Sequence, residues 1–183
     1  MRTFIAIEAP TAVKEALATV QEGLAAQVPA RSIRWTRPDA HHVTLHFLGQ
    51  LQRDALKPLE EAMLSASRNL PRLNLHTTEL GCFPSVRHPS VVWIGIGGDV
   101  AGLHELHDRL FHQLRWLSLS KRAFKPHLTL GRVKGSLRDI GPLLQSLELP
   151  HSSWQASHVT LFESKLEPGG ARYEILAKAP LGG

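Results

Sequence analysis

The stretch His42-Val43-Thr44-Leu45-His46-Phe47-Leu48-Gly49 decides how this chain reads, because His127-Leu128-Thr129-Leu130-Gly131-Arg132 repeats its opening in the second half of the sequence. In the first copy Val43, Leu45 and Phe47 alternate with His42, Thr44 and His46, the period of a strand with one face on a core. The second behaves the same way, with Leu128 and Leu130 facing in and His127 and Thr129 facing out. Each copy therefore projects an imidazole and a hydroxyl from one sheet face, roughly 6.5–7 Å apart along the strand. Both can touch one phosphate-sized group. Two copies suggest two halves of one site.

Around these strands, helices and strands alternate in two similar rounds. Residues 2–8 alternate as a first strand, and Val13, Leu17, Val20 and Leu24 mark an amphipathic helix that ends near Pro29. Ser32–Thr36 reads as a short strand, with Trp35 in the core or the cleft wall. A second helix spans about 54–69, with Pro58 in its first turn. Strands then start at Leu73 and Ser90, separated by a basic loop, Phe83–Pro89, too irregular to be sheet. A third helix, about 101–117, carries a leucine face, and its His104, His107 and His112 read as solvated. A weak helix over 136–147 is interrupted by Gly141-Pro142. Strands near 154–163 and 171–178 close the chain through a turn at Glu167–Gly170. The pattern predicts an α+β fold: two lobes of antiparallel or mixed sheet facing a cleft, one motif on each, with helices outside.

At 183 residues the chain suits a single bilobal domain over 1–183. No apolar run approaches a membrane span, and Glu8 and Pro10 interrupt the opening before a signal-peptide core could form. The lone Cys82 excludes an internal disulfide framework, so the expected address is cytoplasmic. A formal charge of +5 and a pI near 9.8 favour an anionic partner such as nucleic acid or a nucleotide. Lys121, Arg122 and Lys125 fall just before His127, where they can steer phosphate.

Two His-x-Thr units suit in-line hydrolysis of a phosphodiester, which needs a base for the incoming water and an acid for the departing oxygen. Imidazoles, with a reference pKa near 6.5, can divide those tasks at neutral pH. Threonine hydroxyls can hold the non-bridging oxygens. Two other readings remain open from the residues alone, satisfied structural histidines and a metal site. Against a metal, His42, His46 and His127 lack a nearby carboxylate: Asp39 belongs to the preceding turn, and Asp139 lies well beyond the second strand.

The sequence resembles the two-histidine phosphoesterase superfamily, in particular the LigT-like RNA 2′,3′-cyclic phosphodiesterases, also called 2′-5′ RNA ligases. The resemblance covers nearly the whole chain. It rests on Arg2–Ile7, Trp35 with Pro38, the two His-x-Thr-Leu motifs, Phe83-Pro84 with Trp93, Leu161–Ser164 and Tyr173. It implies a pseudo-twofold bilobal fold with a basic central cleft, and opening of a terminal cyclic phosphate to a 2′-phosphomonoester without metal or cofactor. By the same resemblance His127 activates water, His42 protonates the 3′ oxygen, and Thr44 and Thr129 hold phosphate oxygens. Arg132 matches a family arginine near the site, although strict alternation turns it away from His127; a bulge or strand end at Gly131 is the expected solution.

Phe47 has the same parity problem and is expected in the core. His46 shares the parity of His42 and could line the substrate groove. Arg34, Arg87 and Lys125 are candidate contacts to an RNA backbone. The expected partners are RNA ends or nucleoside 2′,3′-cyclic phosphates, with no membrane, and the expected state is a monomer. The alternatives are 2′-5′ RNA ligation in the same site and a non-catalytic RNA-binding module.

Overall fold

The computed structural model describes residues 1–120, 123–167 and 170–183. Lys121 and Arg122 of the basic run, and the centre of the closing turn at Pro168 and Gly169, lie outside the described residues.

The fold is built on one curled sheet. Its strands are β1 (Arg2–Glu8), β2 (Ile33–Trp35), β3 (His42–Gln50), β4 (Leu73–Pro84), β5 (Pro89–Gly98), β6 (His127–Val133), β7 (Ser153–Ala156), β8 (His158–Glu167) and β9 (Gly170–Pro180). Their order is β7-β4-β5-β6-β3-β1-β8-β9, with β2 paired on β6, and the pairings are antiparallel. The helices are α1 (Thr11–Ala25), α2 (Leu56–Ser67), α3 (Val100–Gln113) and α4 (Gly141–Ser146).

The two motif strands meet at a single pair, Val43 opposite Leu128. Outward from that crossing the molecule repeats itself. On one side β1 flanks β3 and β8 flanks β1; on the other β5 flanks β6 and β4 flanks β5. The register makes the equivalence residue by residue: Ala6 lies opposite Thr44 as Trp93 lies opposite Thr129, and Phe4 opposite Phe162 as Val91 opposite Phe83. Leu161-Phe162-Glu163-Ser164 thus matches Cys82-Phe83-Pro84-Ser85, a repeat too diverged to see without the register.

Helices cover one face only. Val13, Leu17, Val20 and Leu24 of α1, Leu59 and Met63 of α2, and Leu103, Leu106 and Leu110 of α3 join Ile5, Val43, Leu45, Val92, Ile94, Leu128 and Leu130 in one buried core. Each such side chain contributes about 1.5–3 kcal/mol by leaving water. Val43 and Leu128, both fully buried, tie the two lobes at their crossing, and Leu128→Ala would cost about 2–5 kcal/mol. The opposite face carries a small separate cluster of Phe4, Ala6 and Phe162, with Tyr173 against it, and among the described residues no α-helix covers it.

Several elements differ from the pattern-based expectation. β4 continues through Phe83 to Pro84, which pairs with Pro89, so only the tip of the expected basic loop is irregular. Gly141-Pro142 opens α4 instead of interrupting it, since a proline in the first turn has no hydrogen bond to lose. His107 is buried, not solvated. Its ring lies between those of His46 and Phe124, at centroid distances of 4.2 and 4.5 Å.

Candidate active site

On the helix-free face, the register through Val43 and Leu128 crosses the motifs: His42 faces Thr129 and Thr44 faces His127. The four polar side chains thereby form a square around the pseudo-twofold axis. Across the crossing, each imidazole of one lobe faces a hydroxyl of the other. The two rings are close enough for a charge on His127 to disfavour one on His42.

Each histidine is oriented from behind. The His127 Nδ1–H donates to the Lys125 carbonyl at 2.7 Å, which leaves Nε2 for chemistry. The His42 ring is likewise hydrogen-bonded to the backbone of Ala40, also two residues upstream. Aromatic rings brace both. Phe4 lies 4.6 Å from His42 and Tyr173 meets it edge-on at 5.1 Å; Phe83 meets His127 edge-on at 5.0 Å. Burial pushes His42 down to about 4, helped by the charges of His41, His127 and Lys14. His127 is lowered too, by burial first and then by Lys125 and Arg132. Both shifts favour the neutral rings at pH 7.

Behind the square, His41 is buried and hydrogen-bonded through Nδ1 to the Thr129 carbonyl at 3.2 Å. Among the described residues its Nε2 has no partner, and burial brings its pKa down to about 4.

Two bulges decide what surrounds the square. Between Thr44 and His46, β3 has an extra residue, Leu45, relative to β1. Between Thr129 and Gly131, β6 has an extra residue, Leu130, relative to β5. Each bulge reverses the alternation beyond it. Arg132 consequently joins the face of Thr129, as the bulge expectation required. Gln21, reaching from α1, donates to the Leu130 and Thr36 carbonyls at 2.7 and 2.8 Å and so satisfies the bulge. Gly131 fits because a Cβ there would stand 2.5 Å from Ile33.

The same logic corrects two expectations on β3. Phe47 is not core: it is 67% exposed and stands on the cleft face, at the position equivalent to Arg132. His46 does not share the face of His42. It is buried, its Nε2 bonds the His107 carbonyl at 2.8 Å, and burial lowers its pKa; it reaches only the floor of a neighbouring hollow.

That hollow is one of two flanking the square. The first, about 340 Å³, is lined by His42, Thr129, Arg34, Arg132, Arg2 and Tyr173. Burial raises the Tyr173 hydroxyl, against the opposing fields of Arg132, Arg2 and Arg34. The second, about 570 Å³, is lined by His127, Phe83, Phe124, Lys125 and Leu119. Thr44 and Phe47 border both. Lys125 holds its ammonium 4.1 Å from the Trp93 ring centre. Arg87 is not brought in; it lines a separate open groove with Arg138 and Asp139. Sequence reasoning gave no site role to Arg2, Tyr173, Phe83 or His41 and placed Phe47 in the core; the repeat was the available signal for Phe47.

Two motifs crossed on one face of a duplicated antiparallel sheet define a two-histidine phosphoesterase. The model of the LigT like Phosphoesterase family matches residues 7–93 and 96–173, and the chain belongs to that family. An RNA 2′,3′-cyclic phosphodiesterase of Methanocaldococcus jannaschii is 29% identical over 96% of this chain and 98% of its own length. One of Aeropyrum pernix is 31% identical over 74% and 78%. Among solved structures, TT0787 of Thermus thermophilus superposes with a TM-score of 0.81 at 25% identity, covering 100% of this chain and 99% of its own. E. coli LigT complexed with 3′-AMP superposes at 0.76 with 27% identity, covering 98% and 97%. Among the described residues no helix is long and apolar enough to cross a membrane.

Proposed function

We propose that the chain is an RNA 2′,3′-cyclic phosphodiesterase that opens terminal 2′,3′-cyclic phosphates to 2′-phosphomonoesters, with its two histidines as base and acid and no metal. The crossed square of His42, Thr44, His127 and Thr129 carries this reading. A phosphorus atom at its centre stands between two imidazoles and two hydroxyls. The names of the relatives, and the 3′-AMP complex of LigT, support a nucleotide substrate.

In the proposed step His127 Nε2 takes a proton from water as the water oxygen bonds to phosphorus. The P–O3′ bond breaks, and His42, protonated at Nε2, gives its proton to the departing oxygen. The products are a 2′-phosphomonoester and a free 3′-hydroxyl. Thr44 and Thr129 donate hydrogen bonds to the non-bridging oxygens. The positive field of His127 on His42 means that the pair holds one proton more readily than two. An anionic substrate offsets that field and the burial, raising both pKa values on binding. Each proton transfer contributes roughly 10²–10⁴-fold.

The test is hydrolysis of a nucleoside 2′,3′-cyclic phosphate in EDTA by the wild type, His42→Ala and His127→Ala, with the product isomer identified. The reading requires EDTA-resistant turnover, a 2′-phosphate product, and a loss of roughly 10²–10⁴-fold in each variant. A 3′-phosphate product, loss of turnover in EDTA or full turnover in either variant would refute it.

A further inference from the structure

We propose that Arg34 and Arg132 form a second phosphate subsite, which binds the phosphate on the 5′ side of the terminal nucleoside. The inference rests on the function proposed above and defines its substrate more narrowly.

The β2–β6 register sets Arg34 directly opposite Arg132, and both side chains line the hollow beside His42 and Thr129. Like charges directly opposed across an antiparallel pair destabilise it. Arg2 adds a third cation to the same hollow. Among the described residues none of the three has an ion-pair partner. The nearby Asp39 is engaged by Arg37 at 3.1 Å. An anion between the two guanidinium groups removes the repulsion and forms charge-assisted hydrogen bonds with both.

That anion is not the reacting phosphate. A cyclic phosphodiester carries one negative charge, and the square already surrounds it. The bulge at Leu130 leaves the Arg34–Arg132 pair two ladder steps along β6 from Thr129, roughly 6.5–7 Å at strand spacing. A phosphate one sugar away from the cyclic end meets it. Either a 5′-monophosphate or an internucleotide linkage supplies that group.

The experiment compares kcat/KM for four 2′,3′-cyclic phosphates: a nucleoside with a free 5′-hydroxyl, the same with a 5′-phosphate, a dinucleotide, and that dinucleotide with an uncharged methylphosphonate linkage. The wild type should favour the 5′-phosphate or phosphodiester substrate over the bare nucleoside by roughly tenfold. The methylphosphonate should lose the preference, and Arg34→Gln should bring the ratio close to one. A gain for both anionic substrates assigns the subsite to any 5′-phosphate; a gain confined to the dinucleotide assigns it to RNA ends. A structural role for Arg34 would lower all rates together and leave the ratio intact.

Equal kcat/KM across the four substrates, or a preference that survives in the methylphosphonate or in Arg34→Gln, would overturn the subsite. If the wild type hydrolyses none of them, the proposed function fails instead. Binding of nucleoside 2′-phosphates with and without a 5′-phosphate then decides the subsite separately: it predicts tighter binding with a salt dependence steeper by about 0.7 in log–log slope, and equal affinities would overturn it.

Discussion

The lobe built on β3 and the lobe built on β6 use the same device and end with different chemistry. Each presents an imidazole and a hydroxyl, then a leucine bulge, then one residue turned back to the cleft. In the β6 lobe that residue is Arg132; in the β3 lobe it is Phe47. One flanking hollow is therefore cationic and the other largely aromatic. In the proposed function the symmetric core would place the reacting phosphorus, and the asymmetric third position would tell one end of the substrate from the other. An anionic chain suits the first hollow, a ring or a sugar the second.

The histidines themselves should show the largest loss, because both lobes must act together: the double alanine variant should fall little below the worse single variant. The third positions come next. Arg132→Gln should lower kcat/KM by roughly 10–100-fold through loss of charge-assisted bonds to phosphate. Phe47→Ala should act mainly on KM, since an exposed ring that packs on a base or sugar contributes about 1–3 kcal/mol. Equal effects of both variants on kcat and KM would mean that the two lobes do not differ in the way described.

His41 extends the comparison to stability. It belongs to the β3 lobe but bonds the Thr129 carbonyl of the β6 lobe, and it is buried and neutral. Its pKa falls from 6.5 unfolded to about 4 folded, so the unfolded chain binds more protons between those values. Stability is thus fully present above pH 6.5 and declines as pH falls toward 4, by about 2 kcal/mol at pH 5 from this group. Urea unfolding at pH 7 and pH 5 should show that loss, and His41→Asn should shrink it. The smallest shift concerns rate against pH. With His42 and His127 both lowered, kcat/KM should peak below pH 6.5, and the kcat bell should lie at higher pH once substrate has raised them. Coincident profiles would argue against that coupling.

The square was legible in the sequence because alternation holds from His42 to Thr44 and from His127 to Thr129. Beyond those points it fails, since a bulge changes side-chain parity without changing residue type. Arg132 exposed the difficulty, a charged residue assigned to a core face, and a bulge at the motif's end resolved it. The repeat then required the same bulge after Thr44, which would have turned Phe47 outward and His46 inward. His107 escaped because a histidine on a leucine-rich helix reads as solvated until a partner ring is placed against it. The arginine pair depends on β2 joining β6, a long-range pairing that no local pattern encodes.

The central claim is that the crossed lobes divide two proton transfers between them, with the base on His127 and the acid on His42. The direct measurement compares wild type, His42→Ala and His127→Ala on a 2′,3′-cyclic phosphate and on a phosphodiester whose leaving group is acidic enough to depart unprotonated. The account predicts that His42→Ala recovers to within about tenfold of wild type on the second substrate, because the acid's contribution of roughly 10²–10⁴-fold is no longer needed, while His127→Ala remains impaired on both. Equal losses for the two variants on both substrates would contradict it.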